Sequence, residues 1–107
     1  MTTKIYKIKD EFLELIKKGI KKHEYRLNKN IDFKIGDVFF LQSEKQNLLV
    51  KIKKIENFNL WEDAIIESDF GEMPREEILK ICKSFYSFED VKQYGIVRFG
   101  IEKVCKI

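Results

Sequence analysis

Short strand-like stretches joined by short turns limit the folds open to this chain more than any other feature. They cover residues 5–8, 22–27, 38–41, 48–55 and 96–104. Side chains alternate across a strand, and in residues 48–55 the apolar and basic residues alternate in this way. Closely spaced strands of this kind are typical of a small barrel and not of a doubly wound parallel sheet.

Helical patterns lie between these strands. Asp10 is the predicted N-cap of a first helix, and Gly19 is its predicted stop. A second helical stretch is predicted over residues 57–68, Pro74 opens a clearer helix, and Ser87 begins a last helical turn. The candidate buried positions of the later helices are Leu60, Ala64, Ile65, Ile78, Ile81, Cys82 and Phe85.

Length and composition predict one domain over residues 1–107. The net charge is only +3 although 36% of residues are charged, so the sequence disfavours a nonspecific DNA-coating protein and allows a small basic site. Cys82 and Cys105 lack metal-ligand spacing, and no metal or cofactor motif is present. With no apolar run of about 20 residues and no signal region, we expect a soluble cytoplasmic protein without membrane contact.

The octapeptide of residues 19–26 concentrates charge where the first helix passes into a strand. Half-buried backbone seldom carries such charge unless the groups pair or meet a ligand. Lys21 is a candidate to hold a phosphate or base carbonyl, or to act as a base. Glu24 and Arg26 share a strand face, so they either pair with each other, pair with Lys51 or Lys53, or contact a ligand.

Other candidates are weaker. His23 is the only histidine and falls on the opposite strand face, where a packing role is more common than an acid–base role. Tyr25 and Trp61 are the candidates for stacking on a base, and Trp61 stands out because Glu62 and Asp63 follow it. A protein partner is possible, but the sequence shows no exposed hydrophobic stripe to which it would bind, so we favour it less.

The chain resembles the ASCH domain family of the PUA-like superfamily. The resemblance rests on the G-x-K-x-x-E-x-R pattern at residues 19–26, on the Ile35-Gly36-Asp37 step and on the late strand of residues 94–99, and it spans roughly residues 4–104. It implies an α+β fold, a small barrel of about five to six mostly antiparallel strands with peripheral helices. It also implies a cleft for RNA or a modified nucleoside, with the ligand-binding residues Gly19, Lys21, Glu24 and Arg26.

One subgroup of the family suggests an alternative function. Its members are amidohydrolases that remove the acetyl group from N4-acetylcytidine. They carry a nucleophilic threonine where this chain has Glu24, and a glutamate near the position of Gly71, with only Asp69 and Glu72 nearby. If the chain is an enzyme, Lys21 is the expected base and Glu24 its assistant. Because this chain lacks that threonine, we favour a binding function over a catalytic one.

Overall fold

The computed structural model describes residues 4–104, and its centre is a five-stranded sheet that curls into a half-barrel. The spatial order is β1-β3-β4-β5-β2, and only the β1–β3 pair is parallel. The predicted α+β fold with mostly antiparallel strands is therefore confirmed. The strands are β1 (Lys4–Lys7), β2 (His23–Leu27), β3 (Val38–Gln42), β4 (Asn47–Phe58) and β5 (Ile96–Lys103).

Four α-helices surround the sheet in the described part of the chain: α1 (Asp10–Lys17), α2 (Trp61–Ala64), α3 (Arg75–Lys83) and α4 (Phe88–Tyr94). A 3₁₀ turn, Glu67–Phe70, lies between α2 and α3. Pro74 immediately precedes α3, and the Ser87 hydroxyl accepts a hydrogen bond from the Asp90 amide at 3.1 Å, as predicted for these helix starts. None of the helices in residues 4–104 has the length and hydrophobicity that a bilayer-spanning segment needs.

The predicted helix over residues 57–68 is wrong in extent. Strand β4 continues to Phe58, and only a four-residue helix and the 3₁₀ turn follow it. Asn57 and Phe58 pair with Val97 and Ile96 on β5, which holds them extended. Tertiary pairing therefore overrides the local helical pattern. Ala64 and Ile65 are buried as expected, but Leu60 is 46% exposed.

Two smaller predictions about the helices are also wrong. Lys9 occupies the cap position of α1, and the Asp10 carboxylate instead accepts hydrogen bonds from Ser43 at 2.6 Å and Gln46 at 3.0 Å. Phe85 lies beyond the end of α3 and is 43% exposed. Cys82 is a buried free thiol, whereas Cys105 lies outside the described residues.

The core consists of two apolar clusters, and α1 contributes to both. Phe12 packs in the cluster that α2, α3 and α4 cover, while Leu13 and Ile16 pack against the other face of the sheet. Gly19 ends α1 with a φ of 79°, a conformation that glycine adopts without strain. The Ile20 and Lys21 amides then both donate to the Leu15 carbonyl, at 2.9 and 3.1 Å.

The half-barrel is open between its two edge strands, β1 and β2. No hydrogen-bonded ladder joins these strands within residues 4–104. Instead, the Arg26 side chain reaches from β2 and donates from Nη2 to the Lys7 carbonyl of β1 at 3.0 Å. The open seam leaves room for a cleft in the wall of the sheet.

Candidate functional site

The cleft lies at this seam and has a volume of about 530 Å³. The end of β1, the start of α1, strand β2 and the helical side all contribute to its walls. This volume falls in the range of roughly 300–1,000 Å³ that is typical of small-molecule sites. Its lining residues are Lys7, Ile8, Lys9, Asp10, Phe12, Lys21, Glu24, Tyr25, Arg26, Glu44, Trp61, Phe70, Cys82, Phe85 and Tyr86.

Lys21 is the most unusual residue of the cleft, because a lysine is only 2% exposed there. Its Nζ atom donates to the Glu24 Oε1 atom at 3.1 Å and to the His23 carbonyl. It also lies 5.0 Å from the centroid of the Tyr25 ring and 5.5 Å from that of Phe70. A carboxylate, a carbonyl and two ring faces therefore surround the ammonium group.

Glu24 is 5% exposed and lies between two cations. One carboxylate oxygen accepts from Lys21, and the other accepts from Arg26 Nη2 at 2.6 Å. Burial alone would raise the pKa of Glu24, but the positive charges of Arg26 and Lys21 outweigh it, and the pKa lies below its ordinary value. Glu24 is therefore an ionised hydrogen-bond acceptor at neutral pH.

Arg26 is the third member of a row of paired charges, after Lys21 and Glu24, and it also lines the cleft. Its guanidinium group lies 5.2 Å from the centroid of the Tyr6 ring, and its Nη2 atom bonds both Glu24 and the Lys7 carbonyl. The Nε atom of Arg26 is buried and has no hydrogen-bond partner among the described residues. A buried donor without a partner costs free energy, and residues 4–104 supply no acceptor for this N–H.

Aromatic rings form the apolar wall. Tyr25 stacks on Phe70 at 5.9 Å between ring centroids, and Trp61 stacks on Tyr86 at 6.2 Å with an interplanar angle of 12°. Trp61 is 2% exposed, so its expected polar surroundings are wrong even though it lines the cleft. Its indole Nε1 atom is a second buried donor without a partner within residues 4–104.

Asp69 supports this wall from behind and was not among the sequence-predicted site residues. It is 2% exposed, and its carboxylate accepts from the Lys22 amide at 2.9 Å and from the Tyr25 hydroxyl at 2.5 Å. His23 Nδ1 lies 2.9 Å from the same carboxylate. Because this nitrogen faces an acceptor, we assign the N–H of the His23 ring to it. Burial and the bond to Asp69 raise the pKa of the Tyr25 hydroxyl well above its ordinary value.

No local pattern identifies Asp69, because 47 residues separate it from Lys22; the one sequence signal nearby was the resemblance to the amidohydrolase subgroup, which carries a glutamate near the position of Gly71. Its carboxylate holds the start of β2 against the 3₁₀ turn, and it thereby fixes the position of the residues between Lys22 and Tyr25. We assign it a positioning role, because it is buried, does not line the cleft, and bonds the Lys22 amide, the His23 ring and the Tyr25 hydroxyl.

The structure brings Lys21, Glu24, Arg26, Tyr25 and Trp61 together in one cleft. Gly19 does not line it and acts through the turn that ends α1. Glu24 and Arg26 pair with each other, so the alternative pairing with Lys51 or Lys53 is wrong. Lys53 instead lies 3.7 Å from Glu102, and both side chains are exposed.

The lining of the cleft offers few groups for nucleophilic or metal chemistry. No serine or threonine of residues 4–104 lines the cleft. The Cys82 thiol does line it, but burial raises the pKa of this thiol to about 11, which leaves little thiolate at neutral pH. No three His, Cys, Asp or Glu side chains in the described ranges are grouped to hold a metal ion.

Comparisons with known proteins agree with this architecture. The family model of the ASCH domain matches residues 7–104. The crystal structure of the hypothetical protein PH0355 is 31% identical, covers 96% of this chain and 100% of its own, and superposes with a TM-score of 0.80. Protein PF0455 from Pyrococcus furiosus, solved by NMR, is 30% identical over 98% of this chain and 100% of its own, with a TM-score of 0.73.

A more distant structure shares the fold alone. It is the crystal structure of a mutant of ZmASCH from Zymomonas mobilis, which is 12% identical and covers 96% of this chain and 73% of its own, with a TM-score of 0.59. A comparison with the curated proteins found no match.

Proposed function

This chain belongs to the ASCH domain family, whose PUA-like fold is an RNA-binding fold, and we propose that its cleft binds RNA or a modified nucleoside. The observation that carries the proposal is the buried pair of Lys21 and Glu24 beneath an aromatic-walled cleft. Moving two charges out of water is costly, and a buried pair seldom stabilises a fold better than apolar side chains do. A ligand that uses both groups gives a reason for keeping them.

The hydrogen-bonding capacity of these groups matches the edge of a base. Glu24 accepts one side-chain bond at each oxygen, and a carboxylate has about four acceptor positions, so it can still accept from a base amino group. Lys21 has three N–H groups and uses two, so it can still donate to a base carbonyl. The unpaired N–H of Arg26 supplies a further donor.

The exposure of each lysine indicates which part of the ligand it would contact. Lys21 is too enclosed to follow a solvated phosphate backbone. Lys7 and Lys9 are exposed at the rim of the same cleft, so they are the cations that a phosphate would meet. The aromatic wall can stack on the ring of the base, as aromatic side chains do in proteins that bind single strands.

Hydrolysis of an acylated nucleoside is the second candidate, and two observations weigh against it. The cleft lacks a serine or threonine nucleophile among the described residues. Glu24 has a lowered pKa, which makes its carboxylate a weak base toward water at neutral pH. Binding therefore remains the proposed activity.

Calorimetric titration tests the proposal with cytidine, uridine, adenosine, guanosine and N4-acetylcytidine. We expect one of them to bind the wild-type protein, and Lys21→Met to weaken that binding about tenfold or more, through loss of a charged hydrogen bond. Lys22→Met is the matched control, because it changes an exposed lysine one residue away and leaves the Lys22 amide in place.

Mass spectrometry of small molecules that co-purify with the protein would extend the search to other modified nucleosides. The proposal fails if no nucleoside or RNA binds, or if Lys21→Met and Lys22→Met bind equally well.

A further inference from the structure

A second concavity, the groove, adjoins the cleft on the helical side of the molecule. It has a volume of about 390 Å³. Trp61 and Tyr86 line both the cleft and the groove, so the two hollows share these side chains. The residues that line the groove are Leu60, Trp61, Glu62, Lys83, Tyr86, Phe88, Val91 and Lys92.

The groove carries apolar surface that the sequence did not reveal. Leu60 is 46% exposed and Phe88 is 73% exposed, although both are large hydrophobic residues. The sequence-based view that no hydrophobic stripe is exposed is therefore wrong. Exposed apolar surface gathered around a hollow is typical of a binding site, whereas scattered single residues are not.

We infer that the groove is a second base-binding subsite, which takes the nucleotide next to the one in the cleft. This inference rests on the proposed function. It adds that the natural ligand is a single-stranded RNA segment of at least two nucleotides, and that Tyr86 and Phe88 provide the stacking surface for the second base.

The lining of the groove is mainly apolar, and it is the positive charge at its edge that favours a nucleotide over an apolar protein segment. Two of its lining residues are lysines, and Lys83 pairs with Glu62 at 2.7 Å. Lys92 has no ion pair within residues 4–104, so the groove offers a net positive charge to a phosphate. Stacking rings beside a cation are the combination by which single-stranded RNA is held without reading its sequence.

Trp61 provides an independent observation at the boundary of the two hollows. It is 2% exposed, yet its Nε1–H has no acceptor in the described chain. Every such buried donor needs an explanation. A ligand that extends from the cleft into the groove would pass this indole and can place a base or sugar oxygen on it.

The test compares single nucleosides with hexamers. The probes are cytidine, N4-acetylcytidine, and uridine hexamers that carry either of these at the third position. In the wild-type protein we expect the hexamer to bind about tenfold more tightly than its nucleoside, the gain that stacking of one further base provides. Trp61 is the only tryptophan, so its fluorescence reports both hollows directly.

Phe88→Ser should reduce this gain to what the phosphate contacts of Lys7 and Lys9 supply, and it should leave nucleoside binding unchanged. Phe88→Tyr should keep the gain and Phe88→Leu should reduce it as Phe88→Ser does, because a base stacks on a ring and not on a branched aliphatic chain. Ile35→Ser is the control, since Ile35 is 67% exposed and lines neither hollow.

The outcomes separate this inference from the proposed function. If the nucleoside binds but the hexamer binds no more tightly, or if Phe88→Ser keeps the hexamer affinity, the subsite is refuted and the proposed function stands. If Phe88→Leu binds the hexamer as well as wild type does, the groove is an apolar contact that suits a protein partner. If the wild-type protein binds neither probe, both proposals fail.

Discussion

Lys21→Met isolates the energetic cost of the buried charge pair. Methionine is close to lysine in length, so the substitution removes the ammonium while keeping most of the packing against Tyr25 and Phe70. It leaves Glu24 ionised and 5% exposed, with Arg26 as its remaining cation. Adding Glu24→Leu in a double variant removes the carboxylate as well, and Arg26 then keeps its bond to the Lys7 carbonyl.

The burial of the pair sets the expected magnitudes. Breaking a buried pair by removing one partner costs about 3–5 kcal/mol, and because Arg26 remains at 2.6 Å we expect a loss near the low end, about 3 kcal/mol. Lys83→Met is the control: it breaks an ion pair of 2.7 Å between side chains that are 52% and 46% exposed. That exposed pair should contribute no more than about 1 kcal/mol.

The double variant should recover to within about 1 kcal/mol of wild type, because replacing a whole buried pair by apolar residues is often neutral or stabilising. Nucleoside binding should not recover with it. Stability regained without binding would mean that the pair is kept for the ligand and not for the fold.

Urea unfolding followed by circular dichroism measures these differences. Thermal melting checks them, with a shift of about 4–8 °C for each kcal/mol in a domain of this size. If Lys21→Met costs no more than Lys83→Met, the buried pair does not exist as described. If the double variant is as unstable as Lys21→Met, the loss comes from packing or from Arg26, which then lacks its carboxylate, and not from an unpaired Glu24.

Four further predictions concern pH, positioning, salt and catalysis. Glu24 has a pKa below its ordinary 4.5, so its contribution to stability is present above about pH 4.5 and is lost as the pH falls through the lowered value. The difference in unfolding free energy between wild type and Glu24→Gln should therefore shrink in acid. Asp69→Asn should cost about 2–4 kcal/mol in urea, because it disrupts buried bonds to a charged acceptor, while the exposed Asp32→Asn should cost less than about 0.5 kcal/mol. Lys9→Gln should flatten the logarithmic salt dependence of RNA affinity by about 0.7, whereas Lys21→Met should lower the affinity without changing the slope. N4-acetylcytidine should release little or no cytidine in chromatography with wild type or with Glu24→Thr, and rapid release that Lys21→Met abolishes would make the protein an enzyme.

Local patterns predicted much of the fold. Alternation located the strands, and Gly19, Pro74 and Ser87 marked helix boundaries that the structure confirms. Strand periodicity also placed Glu24 and Arg26 on one face, where they form an ion pair. Each of these features depends on residues a few positions apart.

Features that depend on distant residues could not be predicted. The length of β4 depends on pairing with β5, and the role of Asp69 depends on contacts with β2. The position of Trp61 in the wall of the cleft depends on Tyr86, 25 positions further along the sequence. Nothing near Trp61 in the sequence indicates that its polar neighbours face away from it.

The most direct test of the proposed site is a two-dimensional NMR titration of the wild-type protein with cytidine and N4-acetylcytidine. The backbone amides of residues 21–26 and the single Trp61 indole N–H report the cleft. We predict that one nucleoside shifts these signals along a common saturation curve, with the indole proton moving downfield as its unpaired N–H gains an acceptor. Signals that stay fixed at saturating ligand, or shifts confined to the exposed lysines of residues 51–54, would contradict the assignment of the cleft as the binding site.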